Sequence, residues 1–403
     1  MKSINSILGI ILLLAVTAES QGQRQAVNDK IITVDVTKSY SPKRELILQD
    51  FMDVEYIALE TNDDFLNQGV VLDIGKNIIL VKNQVNDGDI FVYNRTGKAL
   101  RKINRKGQGG EEYNIISNII LDEDNEEMFV NDIIKTKIHV YDLYGKFKRS
   151  FNHKKDAGSL FYTDMFNYDK DNLICYDKHN VETPFLLISK LNGSITKEIK
   201  IPFNEKKLLS QSIRQGDYNY VHTPGQHYSI LPFKGNWMLA EISSDTVYTF
   251  LPNYSLRPLI VRTPPIQSMY PEIMLIVRGF SDRYYFMEAI KNVYNVSTNE
   301  AFPRTFFMYD KQENAFWGYT IYNGDYSTKK EIYMNASVRT ASPEIEALQK
   351  IEAYQLVEAY KKGELKDGKL KEIASKLDAE DNPVIMLVKH KNYWQQHLTM
   401  LRL

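Results

Sequence analysis

Arg105 to Tyr113, RKGQGGEEY, bring three glycines, two cations, two carboxylates and a phenol into nine residues. Several chemistries could use such a set. Glycines that open a helix cradle a phosphate, because the helix start offers free amides and a positive dipole end. Here the following residues, Asn114 to Ile120 (NIISNII), read as a strand, which argues against that use. The carboxyls of Glu111 and Glu112 could serve as a general acid or base at a pocket. The remaining reading is a structural corner in which the glycines turn the chain and Tyr113 packs between neighbouring elements. In that reading Arg105, Lys106, Glu111 and Glu112 are left as rim charges able to select a ligand.

His222 and His227 (HTPGQH) form a second candidate pair, five residues apart. A zinc site would need a third ligand and a supporting shell, and neither is identifiable, so no metal and no cofactor is expected. The acidic run Asp122 to Glu127 (DEDNEE) resembles a calcium cluster, but it lies between two apolar runs and reads as a solvated hairpin turn. Tyr218, Tyr220, Tyr228, Tyr284, Tyr285 and Tyr294 are expected in the connections at one end of the repeated elements. Tyrosine faces stack on sugar rings and on protein partners, or else fill the space between sheets. Cys175 is the single cysteine and sits in the apolar run LICY, where it reads as a small buried hydrophobe; an intramolecular disulfide is excluded.

The elements that must position these residues are repeated. Ile90 to Ile103 (IFVYNRTGKALRKI) returns 48 residues later as Ile138 to Phe151 (IHVYDLYGKFKRSF), and again after 48 as Leu186 to Ile199 (LLISKLNGSITKEI). Each copy is a strand, a turn with glycine at one fixed place (Gly97, Gly145, Gly193), and a second strand. An apolar hairpin precedes each copy, giving four antiparallel strands per period of roughly 45 to 50 residues, the unit of a β-propeller blade. Tyr228 to Val261 and Ile273 to Ile321 supply a fourth and a fifth unit. Strand candidates remain at both ends of the chain: Ile31 to Val36 and Val54 to Leu59, and Ile332 to Val338 and Val384 to Val388. A ring without free edges follows if both termini share the last blade, so the expectation is an all-β, six-bladed β-propeller closed by strands from both termini. A seventh blade would require a unit hidden in a long connection. A small α-helical insertion is expected over 343–378, where Ala, Glu, Lys and Leu dominate behind Ser342 and Pro343, with Gly363 or Gly368 separating two short helices.

The 403 residues are 43% hydrophobic and 12% aromatic, with 50 basic against 51 acidic side chains. That balance and the lack of a Lys/Arg block argue against a nucleic-acid partner. Lys2, the apolar run Ile7 to Val16 and the small residues Thr17 and Ala18 match a secretory signal peptide over 1–18, too short to span a bilayer. The remainder, 19–403, is expected as one propeller domain, monomeric and without a transmembrane anchor, in the periplasm or outside the cell.

The signal peptide, the RKGQGGEEY segment, the strand start SDTVY at Ser244 to Tyr248 and the closing LDAEDNPVIMLVKHK at Leu377 to Lys391 resemble the exported six-bladed, NHL-repeat-like β-propellers of Bacteroidetes. Members of that group usually carry a segment closer to G-x-G-P-G-E-Y; Gly110-Glu111-Glu112-Tyr113 lacks the proline and has an extra acid. Many members also have a lipoprotein cysteine after the signal, which this chain lacks. The resemblance implies the fold and carries no activity. In a propeller, the connections between blades and those between second and third strands gather at one mouth of the channel, the usual binding surface. The functional expectation is therefore a binding or scaffold module for a glycan, peptide or cell-envelope partner. Its candidate ligand contacts are Arg105, Lys106, Glu111, Glu112, Tyr113, His222, His227, Tyr228 and Tyr284. The alternative is a propeller hydrolase or lyase with the acids and histidines gathered at the mouth.

Overall fold

The computed structural model describes residues 30–153, 162–295, 297–298, 300–334 and 340–391; the expected signal peptide lies outside the described residues. Five sheets follow chain order, each of four antiparallel strands. Blade 1 runs Val70–Ile74, Ile78–Lys82, Asp89–Asn94 and Ala99–Asn104. Blades 2 and 3 start at Ile116–Asp122 and Asp164–Asn167 and end at Phe147–Asn152 and Ile195–Ile199. Blade 4 spans Ile230–Phe233 to Leu256–Thr263, and blade 5 spans Ile273–Phe280 to Ala315–Tyr322. The sixth sheet pairs Ile345–Ile351 with Val384–His390 and the latter with Met52–Ala58, so a C-terminal and an N-terminal strand close the ring. The molecule is an all-β, six-bladed propeller.

Blades are buried on both faces because each is sandwiched between two others. Glu127–Asp132 is buried at every position, whereas the outer strand Ala99–Asn104 alternates toward solvent. One apolar cluster fills each junction: Leu80, Val92, Ile119 and Val130 between blades 1 and 2, and Ile57, Leu387, Val81 and Phe91 where blade 6 meets blade 1. Cys175 lies in the cluster between blades 2 and 3, and its burial pushes the thiol well above its ordinary range.

The recurring glycine has a second cause beyond its dihedral. Gly97 and Gly145 have φ of 85° and 84°, and each turn abuts the outer strand of the preceding blade. A Cβ on Gly145 would lie 2.5 Å from the Ile103 side chain; one on Gly97 would run into the Ala58 carbonyl oxygen. Gly193 meets Phe151 in the same way. Ala58 thus stands to blade 1 as Ile103 stands to blade 2, which places Met52–Ala58 in the outer position of the closing blade.

Polar latches cross the same junctions. The run Asp122 to Glu127 is the expected hairpin turn, with Asp124, Asn125 and Glu126 exposed, but its other three acids are held by protein partners. Glu123 accepts the amide N–H groups of Lys76, Asn77 and Ile78 at 2.8–3.0 Å. Asp122 forms a buried ion pair with Lys190 of blade 3 (2.5 Å), and Arg149, held bidentately by Glu127 of its own blade (2.7 Å for both bonds), donates to the Lys190 carbonyl (2.7 Å). A one-dimensional reading shows charge but not the neighbouring blade that consumes it.

Three terminal expectations are corrected. Ile32–Asp35 does not enter the last blade; it adds in parallel to the outer strand of blade 4, with Ile32 opposite Ile260. Lys43–Ile47 does the same for blade 5, with Lys43 opposite Gly318. Both cover edges that would otherwise expose unpaired backbone groups. Within the expected helical stretch 343–378, Ile345–Ile351 is a strand, because Val384–His390 offers it a partner. The helices are Ala353–Lys361 and Lys369–Ala374. Of the expected strand Ile332 to Val338, Glu331–Ile332 pairs with blade 5 and residues 335–338 lie outside the described residues. The long connection between blades 3 and 4 holds a two-stranded hairpin, Gln211–Gln215 with Tyr218–His222, rather than a seventh blade. Among the described residues no helix is long and apolar enough to cross a membrane.

Two predictions follow from the junctions. Gly97→Ala and Gly145→Ala should each destabilise the fold by more than the ~1 kcal/mol of a positive φ alone. Gly97→Ala should be the worse, because a carbonyl in a strand cannot move aside as the Ile103 side chain can. Urea denaturation of the two variants tests this, and equal losses would show that close approach is immaterial. His139 is fully buried with neither ring nitrogen hydrogen-bonded, and burial pushes its pKa down from 6.5 to about 4. The unfolded chain therefore takes up this proton near pH 6.5 and the folded chain only near pH 4. Its contribution is full above pH 6.5 and falls away toward pH 4, by on the order of 3 kcal/mol. Stability measured from pH 7.5 to 4 should fall less steeply in His139→Phe than in the parent; identical slopes would exclude His139 as the cause.

Candidate functional site: the channel mouth between blades 3 and 4

The RKGQGGEEY loop joins blades 1 and 2, and its groups are turned inward on one another. Tyr113 is fully buried; its hydroxyl donates to the Gly88 carbonyl (2.6 Å) and accepts the Arg105 amide (2.9 Å), and burial pushes its pKa up to about 12. The Lys135 ammonium donates to three carbonyls of the loop, those of Gly107, Gly109 and Glu112 (2.7–3.1 Å). Tyr141 holds the Glu111 carbonyl at 2.7 Å. The Glu112 carboxylate accepts the Gly109 amide at 2.8 Å, Arg105 donates to the Gly145 carbonyl at 2.7 Å, and Lys106 donates to the Asn86 carbonyl. Among the described residues, Glu111 alone of the four charged side chains has no such bond, and it is exposed.

The two histidines diverge. His222 closes the Gln211–His222 hairpin and stacks on Tyr294 of blade 5, with centroids 3.9 Å apart and planes within 9°. His227 faces a cavity of about 570 Å³ between blades 3 and 4. The five-residue spacing therefore does not make a metal pair, and among the described residues no group of three or more His, Cys, Asp or Glu side chains converges. The loop between the histidines is clamped from blade 5. Arg278 donates to the Gln226 carbonyl (3.1 Å) and Arg304 to the Pro224 carbonyl. Both arginines pair with the fully buried Glu288, Arg304 at 3.0 Å.

The cavity has a floor of blade residues, including Asp164, Tyr176 and Ser229, and a roof made by Ser212 and Val221 of the hairpin. Lys178 and His179 enter from the turn between the second and third strands of blade 3. Burial, with the charge of Arg278, pushes the His227 pKa down to about 4; burial and Lys178 also lower that of His179. Both rings are neutral at physiological pH. Thr163, Asp164 and Gln226 also line a smaller cavity of about 280 Å³ in the channel, so the two spaces adjoin.

The other sequence candidates separate. Tyr228 is half-buried beside Phe166 (6.4 Å) and lines the channel cavity. Tyr284 is buried at the turn between the first two strands of blade 5, at the opposite mouth, edge-on to Phe51 at 5.3 Å. Tyr285 is buried beside it, while Tyr218 and Tyr220 are exposed on the hairpin. Sequence reasoning missed Lys178, His179, Arg278, Glu288 and Arg304. For two of these a signal exists: Arg278 and Glu288 interrupt the apolar strands IMLIVRGF and YYFMEAIK, and a charge in a strand buried on both faces requires a buried partner.

The ring and its elaborated mouth define a β-propeller protein whose candidate site lies in the inter-blade connections. The chain belongs to the family described as Domain of unknown function (DUF4934), which matches residues 31–389. No curated protein matches it in sequence. Among solved structures it is similar to a candidate exported protein of Bacteroides fragilis, 17% identical with a TM-score of 0.56, over 90% of this chain and 100% of that one. A DUF4221 member from Bacteroides vulgatus is 11% identical with a TM-score of 0.47, over 85% and 99%. At 17% identity the likeness to the Bacteroides fragilis protein is one of fold.

Glu288→Gln should leave Arg278 buried without its counter-charge and cost about 3–5 kcal/mol, seen as a lowered melting temperature. Glu288→Gln combined with Arg278→Met should recover much of the loss. If the double variant is as unstable as the single one, the charge pair is not what holds this loop.

Proposed function

We propose that the protein is an exported binding module that holds a small polar ligand, from a glycan, a peptide or an envelope partner, in the cavity between blades 3 and 4. The observation that carries this reading is the cavity's construction. The roofing hairpin belongs to no blade, and the His222–His227 loop is held by two arginines and a buried glutamate. Ring closure requires neither, and a buried ionic clamp is costly unless it fixes something. The volume of about 570 Å³ lies in the range of small-ligand sites, with a few polar groups among apolar walls. The N-terminal pattern of a signal peptide supports export.

A hydrolase or lyase would need an uncommitted acid beside His227. The nearby Glu241 takes the Tyr176 hydroxyl (2.9 Å), the Lys206 ammonium (2.7 Å) and the Ser243 amide (3.0 Å). Glu111 and Glu112 belong to the junction of blades 1 and 2. These placements favour binding over acid-base catalysis.

The test is a glycan and peptide binding screen on the chain from residue 19. His227→Ala should weaken any hit by about tenfold or more, and Glu111→Ala/Glu112→Ala should leave it unchanged. The reverse pattern would move the site to the blade 1–2 corner.

A further inference from the structure

We propose that this cavity recognises a carboxylate, with Lys178 supplying the charge and His179 and His227 the neutral donors; the inference rests on the binding reading above. It comes from accounting for every charged group at the site. Three acids lie at or beside the cavity, and the protein uses all of them. Asp164 accepts the amides of Ser229 (2.6 Å) and Ile230 (3.3 Å). Asp177 accepts the His179 amide at 2.9 Å, and Glu241 is saturated by Tyr176, Lys206 and Ser243. Two of the cations are spent likewise, Lys206 on Glu241 and Arg278 on Glu288.

Lys178 is left. It lines the cavity, lies close enough to depress both histidines, and forms no ion pair or hydrogen bond among the described residues. The two imidazoles likewise carry no hydrogen bond from the protein among the described residues, and as neutral rings each offers one N–H. An ammonium and two N–H donors that line one cavity, where the neighbouring carboxylates already hold protein amides or Lys206, offer the donor set that an anion takes. The apolar wall of Leu208, Leu209, Val221 and Ile242 requires that the anion carry a hydrocarbon face. A carboxylate on a sugar ring or at the end of a peptide meets both demands, whereas a free inorganic anion meets one.

Titration calorimetry on the chain from residue 19 tests this with four probes: a uronic-acid disaccharide, its methyl ester, a Leu-terminated dipeptide and the same dipeptide as its amide. The expected result is binding of one or both acids, at least about tenfold tighter than the matching neutral form. Lys178→Met should erase that difference, and Lys178→Arg should keep most of it. Which acid binds identifies the source of the carboxylate. Neutral forms binding as tightly as the acids, or a preference that survives Lys178→Met, would overturn the carboxylate assignment while leaving the cavity a binding site. Absence of binding by all four probes would overturn it too. Neutral glycan binding lost in His227→Ala would show in that event that the binding reading stands without it.

Discussion

Everything in this molecule depends on blades lying face to face without solvent between them. A strand buried on both faces must be apolar through its centre, as Ile78–Lys82 and Asp89–Asn94 are, and the polar residues of Glu127–Asp132 and Lys137–Asp142 stand mainly at the strand ends. The sheets must also approach closely at their rims, where Gly97, Gly145 and Gly193 lie against the outer strand of the previous blade. The first of these contacts is made with Ala58, from the N-terminal strand. Ring closure therefore uses the same steric fit as every other junction, although its two sides are far apart in the chain.

Polar groups at the junctions obey the same constraint in a different form. A charge cannot be sandwiched without a partner, so it reaches across to the adjacent blade. Glu123, Asp122 with Lys190, and Arg149, which donates to the Lys190 carbonyl, do this at the mouth away from the candidate site. At the other mouth, Glu288 with Arg278 and Arg304 extends the device from blades to a connection, fixing the loop that carries His227. A rigid ring with freely varied connections can place a few side chains accurately without disturbing the core.

The two loops that stand out in sequence differ in geometry. RKGQGGEEY folds upon itself around Lys135, Tyr113 and Tyr141, so its polar groups are largely consumed. The His222–His227 loop has its carbonyls held from outside, which leaves its second imidazole directed into a cavity.

The sequence by itself determined the blade repeat, the position of the turn glycine and closure by strands from both termini, because period and alternation are local properties repeated along the chain; the structure decided that the blades number six and that Val54 to Leu59 and Val384 to Val388 are the closing strands. It also named the pair His222 and His227, of which the structure places His227 at the cavity. Only the tertiary structure decided that Ile32–Asp35 and Lys43–Ile47 cap the edges of blades 4 and 5, that Ile345–Ile351 is a strand, and that Tyr284 is buried at the far mouth. A strand edge accepts any extended segment that reaches it, so pairing partners are not written in a strand's own residues. The same holds for Lys178 and His179: their significance lies in the carboxylates that surrounding residues have already taken, and that balance exists only once blades 3, 4 and 5 stand side by side.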